Sequence, residues 1–181
     1  MRTIGLAVAL AAAVGTESGY SQEPIRAGVV GRPKPGQRAP EIVLPYFTSA
    51  GPGPADQPFR RSAELGRVLV IVFGPRNESQ WWSAVAAAAD SAWPAAVLVG
   101  VVRGTPGEVA LVAGGLPNDR AKLLADSTGH AGRAFGVGAN GRAAFVVGDD
   151  GRVGFVSERF DPNAATTVAR IATAVRPDGR P

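Results

Sequence analysis

Two continuous apolar runs constrain this chain more than any other feature. "RVLVIVF" covers Arg67–Phe73, and "AAVLVGVV" follows after an Ala-rich segment. An unbroken Val/Leu/Ile run bounded by turn residues predicts a strand buried on both faces. The segment between them, "QWWSAVAAAADSAW", predicts a helix with Trp82, Val85, Ala86 and Ala89 on one face and Ser79 as its N-cap. Strand, helix and strand in that order make a parallel βαβ unit, which needs cover on both faces of its sheet.

The flanking segments extend the pattern. "PEIVLPYF" (Pro40–Phe47) predicts a short strand, and "TSAGPGPADQP" a loop. "TPGEVALVAGG" predicts a helix with Thr105 as cap, Pro106 at its first position and Gly114 and Gly115 as its stop. A short strand is expected near Lys122–Leu124, and a short helix over "STGHAGRAFGV". "RAAFVVGDDGRVGFVSE" predicts a hairpin turning at Asp150-Gly151. "DPNAATTVARIATAV" predicts a closing helix capped by Asp161, with Ala165, Val168, Ile171, Ala172 and Val175 turned inward. A βαβ half followed by a ββα half is the thioredoxin arrangement. The expected fold class is therefore α/β and thioredoxin-like, a mixed β-sheet flanked by helices on both faces.

Composition narrows the chemistry. The 181 residues include no cysteine and one methionine, Met1. Residues 1–22 carry Arg2, an apolar run from Ile4 to Gly15 and the small residues Gly19 and Ser21. They read as a signal peptide, which predicts a secreted or periplasmic protein with no transmembrane segment in its mature chain. The mature chain then holds no sulfur. Thiolate nucleophiles, disulfides, Cys-ligated zinc and iron–sulfur clusters are excluded. Residues 23–39 form a Pro/Gly-rich linker with Arg26, Arg32, Lys34 and Arg38, and residues 40–178 form the folded domain. The net charge of +4 is scattered and mostly Arg, with no basic-aromatic module for nucleic acid.

Four blocks, in order, carry a family likeness: "KPGQRAPEIVLP", "SAELGRVLVIVFGP", "LLADSTGHAGRAFGV" and "RAAFVVGDDGRV". From about Pro35 to Val156 the chain resembles the peroxiredoxin branch of thioredoxin-like proteins, the alkyl hydroperoxide reductase/thiol-specific antioxidant (redoxin) group. The resemblance implies a thiol peroxidase with the signature P-x-x-x-T-x-x-C. Here that spacing reads "PRNESQWW": Pro75, then Ser79 for the usual Thr, then Trp82 where the peroxidatic Cys would stand. Arg142 in "RAAF" matches the family's second active-site Arg. Aligned to a thioredoxin-type C-x-x-C, the loop places Glu78 and Trp81 at the two cysteines. An indole cannot form the sulfenic acid through which peroxide reduction passes, so the resemblance implies a site that keeps its frame and has lost its nucleophile.

Two readings of Trp81 and Trp82 stand side by side. In one, one indole fills the vacated pocket and the other lies on the surface. In the other, they form an aromatic platform at the helix start, with Arg76 and Arg142 to hold an anion. Glu78 is a general-acid/base candidate without a partner, and equally an ordinary helix-start carboxylate. His130 has no neighbouring ligand set and reads as a surface or capping residue. "GVGANG", Gly136–Gly141, has the G-x-G-x-x-G spacing in the reverse of the dinucleotide context and reads as a loop. No metal or cofactor is expected. The expected function is a binding or scaffolding module with a small anionic ligand or a protein partner. The alternatives are an enzyme with a non-thiol mechanism around Arg76, Glu78 and Arg142, and a structural subunit that pairs as a homodimer.

Overall fold

The computed structural model describes residues 31–175, so residues 1–22, expected to be a signal peptide, and the start of the expected linker lie outside the described residues. The strands are β1 (Val43–Leu44), β2 (Tyr46–Thr48), β3 (Gly51–Pro52), β4 (Phe59–Arg60), β5 (Leu69–Gly74), β6 (Val97–Val102), β7 (Lys122–Ala125), β8 (Ala143–Val147) and β9 (Val153–Ser157). The helices are α1 (Ser79–Ala92), α2 (Pro106–Gly114), α3 (His130–Ala134) and α4 (Ala165–Val175), with a 3-10 turn at Arg61–Glu64.

Seven strands form one mixed sheet in the order β3-β2-β7-β6-β5-β8-β9, with β5, β6 and β7 parallel and the outer pairings antiparallel. The two predicted buried runs are the sheet's centre: all of β6 and all but the last residue of β5 are buried. The chain steps from β5 to β6 to β7 in one direction, so right-handed crossovers put α1 and α2 on the same face. There they share a core with Ile171 and Val175 of α4. On the other face α3, Ile42 and Phe59 cover a second core built on Phe73, Phe135 and Phe145. The rings of Phe135 lie 5.2 Å from Phe73 and 5.0 Å from Phe145. The mixed sheet with helices on both faces is as expected.

Several local expectations are corrected. The predicted strand over Pro40–Phe47 is two strands in two sheets, because Pro45 has no N–H to continue a ladder. β1 pairs with β4 in a separate two-stranded sheet, and β2 pairs with β7 and β3. Ser79 is the first residue of α1 and not its cap. Glu78 occupies the cap position, and no side chain bonds there. Asp161 accepts from the Asn163 N–H and shapes the turn before α4, which begins at Ala165. Ala165 is exposed, while Ile171 and Val175 are buried. The end of the linker is bound to the fold: the Gly36 N–H donates to Val153 O, and the Ala39 N–H to Gly151 O.

α2 starts as predicted. Thr105 Oγ1 accepts from the Glu108 N–H, and Glu108 Oε2 accepts from the Thr105 N–H at 2.8 Å, which closes a capping box. The bond from the Thr105 backbone, then that from its hydroxyl, and then the Arg76 charge hold the Glu108 carboxyl below its ordinary 4.5. A lowered folded value means that the charged form supports the fold above the ordinary value. That support is lost as pH falls through the lowered value. The difference in stability between wild type and Glu108→Gln should therefore shrink as pH falls below the ordinary value of 4.5, followed by denaturant unfolding.

Candidate functional site

The C-terminal ends of parallel strands are where such a sheet leaves its loops free to form a crevice. β5 ends at Gly74 and turns through Pro75-Arg76-Asn77-Glu78 into α1. β6 ends at Val102 and is followed by Arg103. Antiparallel β8 begins beside the end of β5, since Ala143 pairs with Phe73, and so brings Arg142 to the same place. Together with Ala139 and Asn140 these residues line an open cleft of about 550 Å³.

Three guanidiniums and one carboxylate line that cleft. Both oxygens of Glu78 accept from Arg142 Nη2, at 2.6 and 2.8 Å. Arg76 stands 3.6 Å from Glu108, a long pair. Arg103 has no hydrogen-bond or ion-pair partner among the described residues. Its guanidinium carbon lies across Gly129, 3.0 Å from where a Cβ would stand. α1 adds the positive end of a helix 14 residues long whose first turn has no side-chain cap.

Neither tryptophan lies on the surface, which corrects the expectation for one of them. Trp82 is 1% exposed and Trp81 is 7% exposed. Trp82 Nε1 donates to Pro75 O at 2.6 Å, which ties the loop to the helix that follows it. The two indoles meet edge to face at 4.9 Å, and Trp81 makes a second such contact with Phe160 at 5.9 Å. Room for both comes from two strand glycines. A Cβ on Gly74 would stand 2.3 Å from the Trp81 ring and 2.8 Å from the Trp82 ring, and one on Gly100 would stand 2.5 Å from Trp82. Trp81 and Trp82 are therefore absent from the cleft lining, so they form a wall behind the site and not a platform within it. Arg142 connects the two regions, its guanidinium lying 5.5 Å above the Trp81 ring.

Of the residues singled out from sequence, Pro75, Arg76, Glu78 and Arg142 meet at the cleft. Ser79 is exposed and does not line it, and His130 is exposed at the start of α3. Sequence reasoning missed Arg103, Asn140 and the buried Asp126. Arg103 was signalled by its place directly after the second buried run, at the end of a strand parallel to β5. Asp126 carried no local signal. Among the described residues no group of three or more His, Cys, Asp or Glu is placed to hold a metal, and no helix is long and apolar enough to cross a membrane.

No family model matches this sequence, and no curated protein matches it. Solved structures do. AhpC of Mycobacterium bovis superposes with a TM-score of 0.61 at 18% identity, over 82% of this chain and 95% of that one. The peroxidoxin BcpB of Mycobacterium tuberculosis gives 0.59 at 23% identity, over 80% and 99%. A thiol:disulfide interchange protein DsbE of Chlorobium tepidum, itself a tentative assignment, gives 0.55 at 18% identity, over 77% and 98%. At these identities the likeness is one of fold: this chain has the thioredoxin-like fold of the peroxiredoxins, and it has no cysteine.

Proposed function

We propose that this chain is a peroxiredoxin-like domain that has lost thiol peroxidase chemistry and serves as a binding module, secreted or periplasmic, for a small anion. One observation carries the reading. The cleft at the fold's usual site of chemistry is lined by Arg76, Arg103 and Arg142 against the single carboxylate Glu78, while the family's nucleophile position holds the buried Trp82. Three guanidiniums beside a helix N-terminus favour an anion over any neutral or cationic ligand. The exposed partners of Arg76 and Arg142 are weak competitors, since such ion pairs are worth about 0–1 kcal/mol.

Titration with inorganic phosphate or sulfate tests this, followed by calorimetry and by tryptophan fluorescence. An anion that draws Arg142 off the Trp81 ring changes that indole's surroundings and so its emission. Arg103→Gln should weaken binding by about tenfold or more, the worth of hydrogen bonds to a charged group. Because Arg103 is exposed, the thermal midpoint should stay near that of the wild type. Affinity should also fall with ionic strength. Absence of binding, or binding indifferent to Arg103→Gln, overturns the reading. So does metal-free catalytic consumption of peroxide by the wild type.

The non-thiol enzyme around Arg76, Glu78 and Arg142 is less well supported. Glu78 is the only carboxylate that lines the cleft, so no second acid–base group stands beside it there to complete a proton relay.

A further inference from the structure

Beside the cleft lies a second, smaller chamber of about 20 Å³, which shares Gly74, Arg103 and Ala139 with it. Its volume admits one water-sized group. Asp126, at the end of the β7 segment and 1% exposed, lines this chamber. One of its oxygens, Oδ2, accepts from the Gly132 N–H at 2.9 Å. The other, Oδ1, has no hydrogen-bond partner among the described residues. A buried carboxylate oxygen without a donor is rare and costly. The rest of the lining is glycine and apolar side chains apart from Arg103, and Arg103 makes no hydrogen bond to Asp126 among the described residues.

What completes Asp126 must donate a hydrogen bond and occupy about the volume of a water. An ammonium meets the first requirement, but it would sit against the Arg103 charge on the chamber's shared wall. A hydroxyl donates to Asp126 and accepts from Arg103 at once. Resting on the anion reading of the cleft, we propose that its ligand is a hydroxylated anion. The anionic group lies against Arg103 and Arg142, and the hydroxyl enters the chamber to donate to Asp126 Oδ1.

Matched probes test this by calorimetry on the full chain: lactate against propionate, and glycerol 1-phosphate against propyl phosphate. In at least one pair the hydroxylated member should bind about tenfold tighter or more, the effect of a hydrogen bond to a buried charge. Gly132→Ala places a methyl in the chamber wall, 3.7 Å from Asp126 Oδ2 and 3.2 Å from Val137 O. It should bring that ratio close to one while the plain anion binds as before. Asp126→Asn should lower the ratio as well. Should that variant fail to fold, the wild-type ratio and Gly132→Ala decide. Equal binding within both pairs overturns the inference and leaves the anion site standing, with a water as the chamber's occupant. Alanine binding tighter than lactate overturns the choice of a hydroxyl. No binding by any probe overturns this inference and the reading on which it rests.

Discussion

Trp82→Ala will lose about 3–5 kcal/mol of folding stability, the usual cost of removing a large buried aromatic, measured by urea unfolding. That is a large share of the roughly 5–15 kcal/mol that holds a domain together. Trp82 is among the largest fully buried side chains, and its removal leaves two strand glycines facing an empty space. Neither glycine has a Cβ to help fill the void. The Pro75 carbonyl also loses its indole donor, so the cleft loop loosens with the core. The same geometry bears on restoring the family's chemistry. A Trp82→Cys variant should be destabilised to a similar degree, and its thiol should react slowly with thiol reagents while the protein is folded, because the position faces the core and does not line the cleft. Rapid thiol modification under native conditions, or a loss of stability below about 1 kcal/mol, would contradict this placement of the ring.

Adding a single methyl at Gly74 should be nearly as harmful from the opposite direction. A Cβ there would meet Trp81 at 2.3 Å and Trp82 at 2.8 Å, both rings being held against further core. Overpacking of this kind costs about 1–3 kcal/mol or more. Gly100→Ala would meet Leu123 at 2.4 Å and Trp82 at 2.5 Å, and it should cost less because the leucine side chain turns aside more easily than a second indole. These glycines make room for the indoles, and a double-mutant cycle tests this. Combined with Trp82→Phe, Gly100→Ala should recover part of its cost, with a coupling of about 0.5–3 kcal/mol. Strict additivity would mean that the ring and the glycine do not share space.

Much of the fold was legible locally. β5 and β6 announced themselves as unbroken apolar runs, α2 by its Thr-Pro start and double-glycine stop, and the β8–β9 hairpin by Asp150-Gly151. Each signal is a property of adjacent residues, so no tertiary information was needed. The errors have separate causes. Ser79 is a good cap by residue type, yet the chain enters α1 one residue earlier because Trp82 is drawn inward and pinned to Pro75. The apolar Pro40–Phe47 stretch looked like one strand, but its proline divides it between two sheets.

The candidate site was half legible. Arg76, Glu78 and Arg142 came from spacing and family likeness, and they do meet. The pairing of Glu78 with Arg142 joins residues 64 apart in the chain, and no local pattern encodes it. Arg103 and Asp126 reach the site from the ends of two other strands, so only the sheet's order assembles them.

The sequence alone determined that these 181 residues carry no thiol, because a thiol requires cysteine and the sequence contains none. It also determined the order of strands and helices from β5 to α4, because hydrophobic period and turn chemistry are local. Only the tertiary structure decided that the two tryptophans face the core and that the arginines face the cleft. That choice depends on where the neighbouring strands carry glycine, and the space those glycines leave exists only once the sheet has formed.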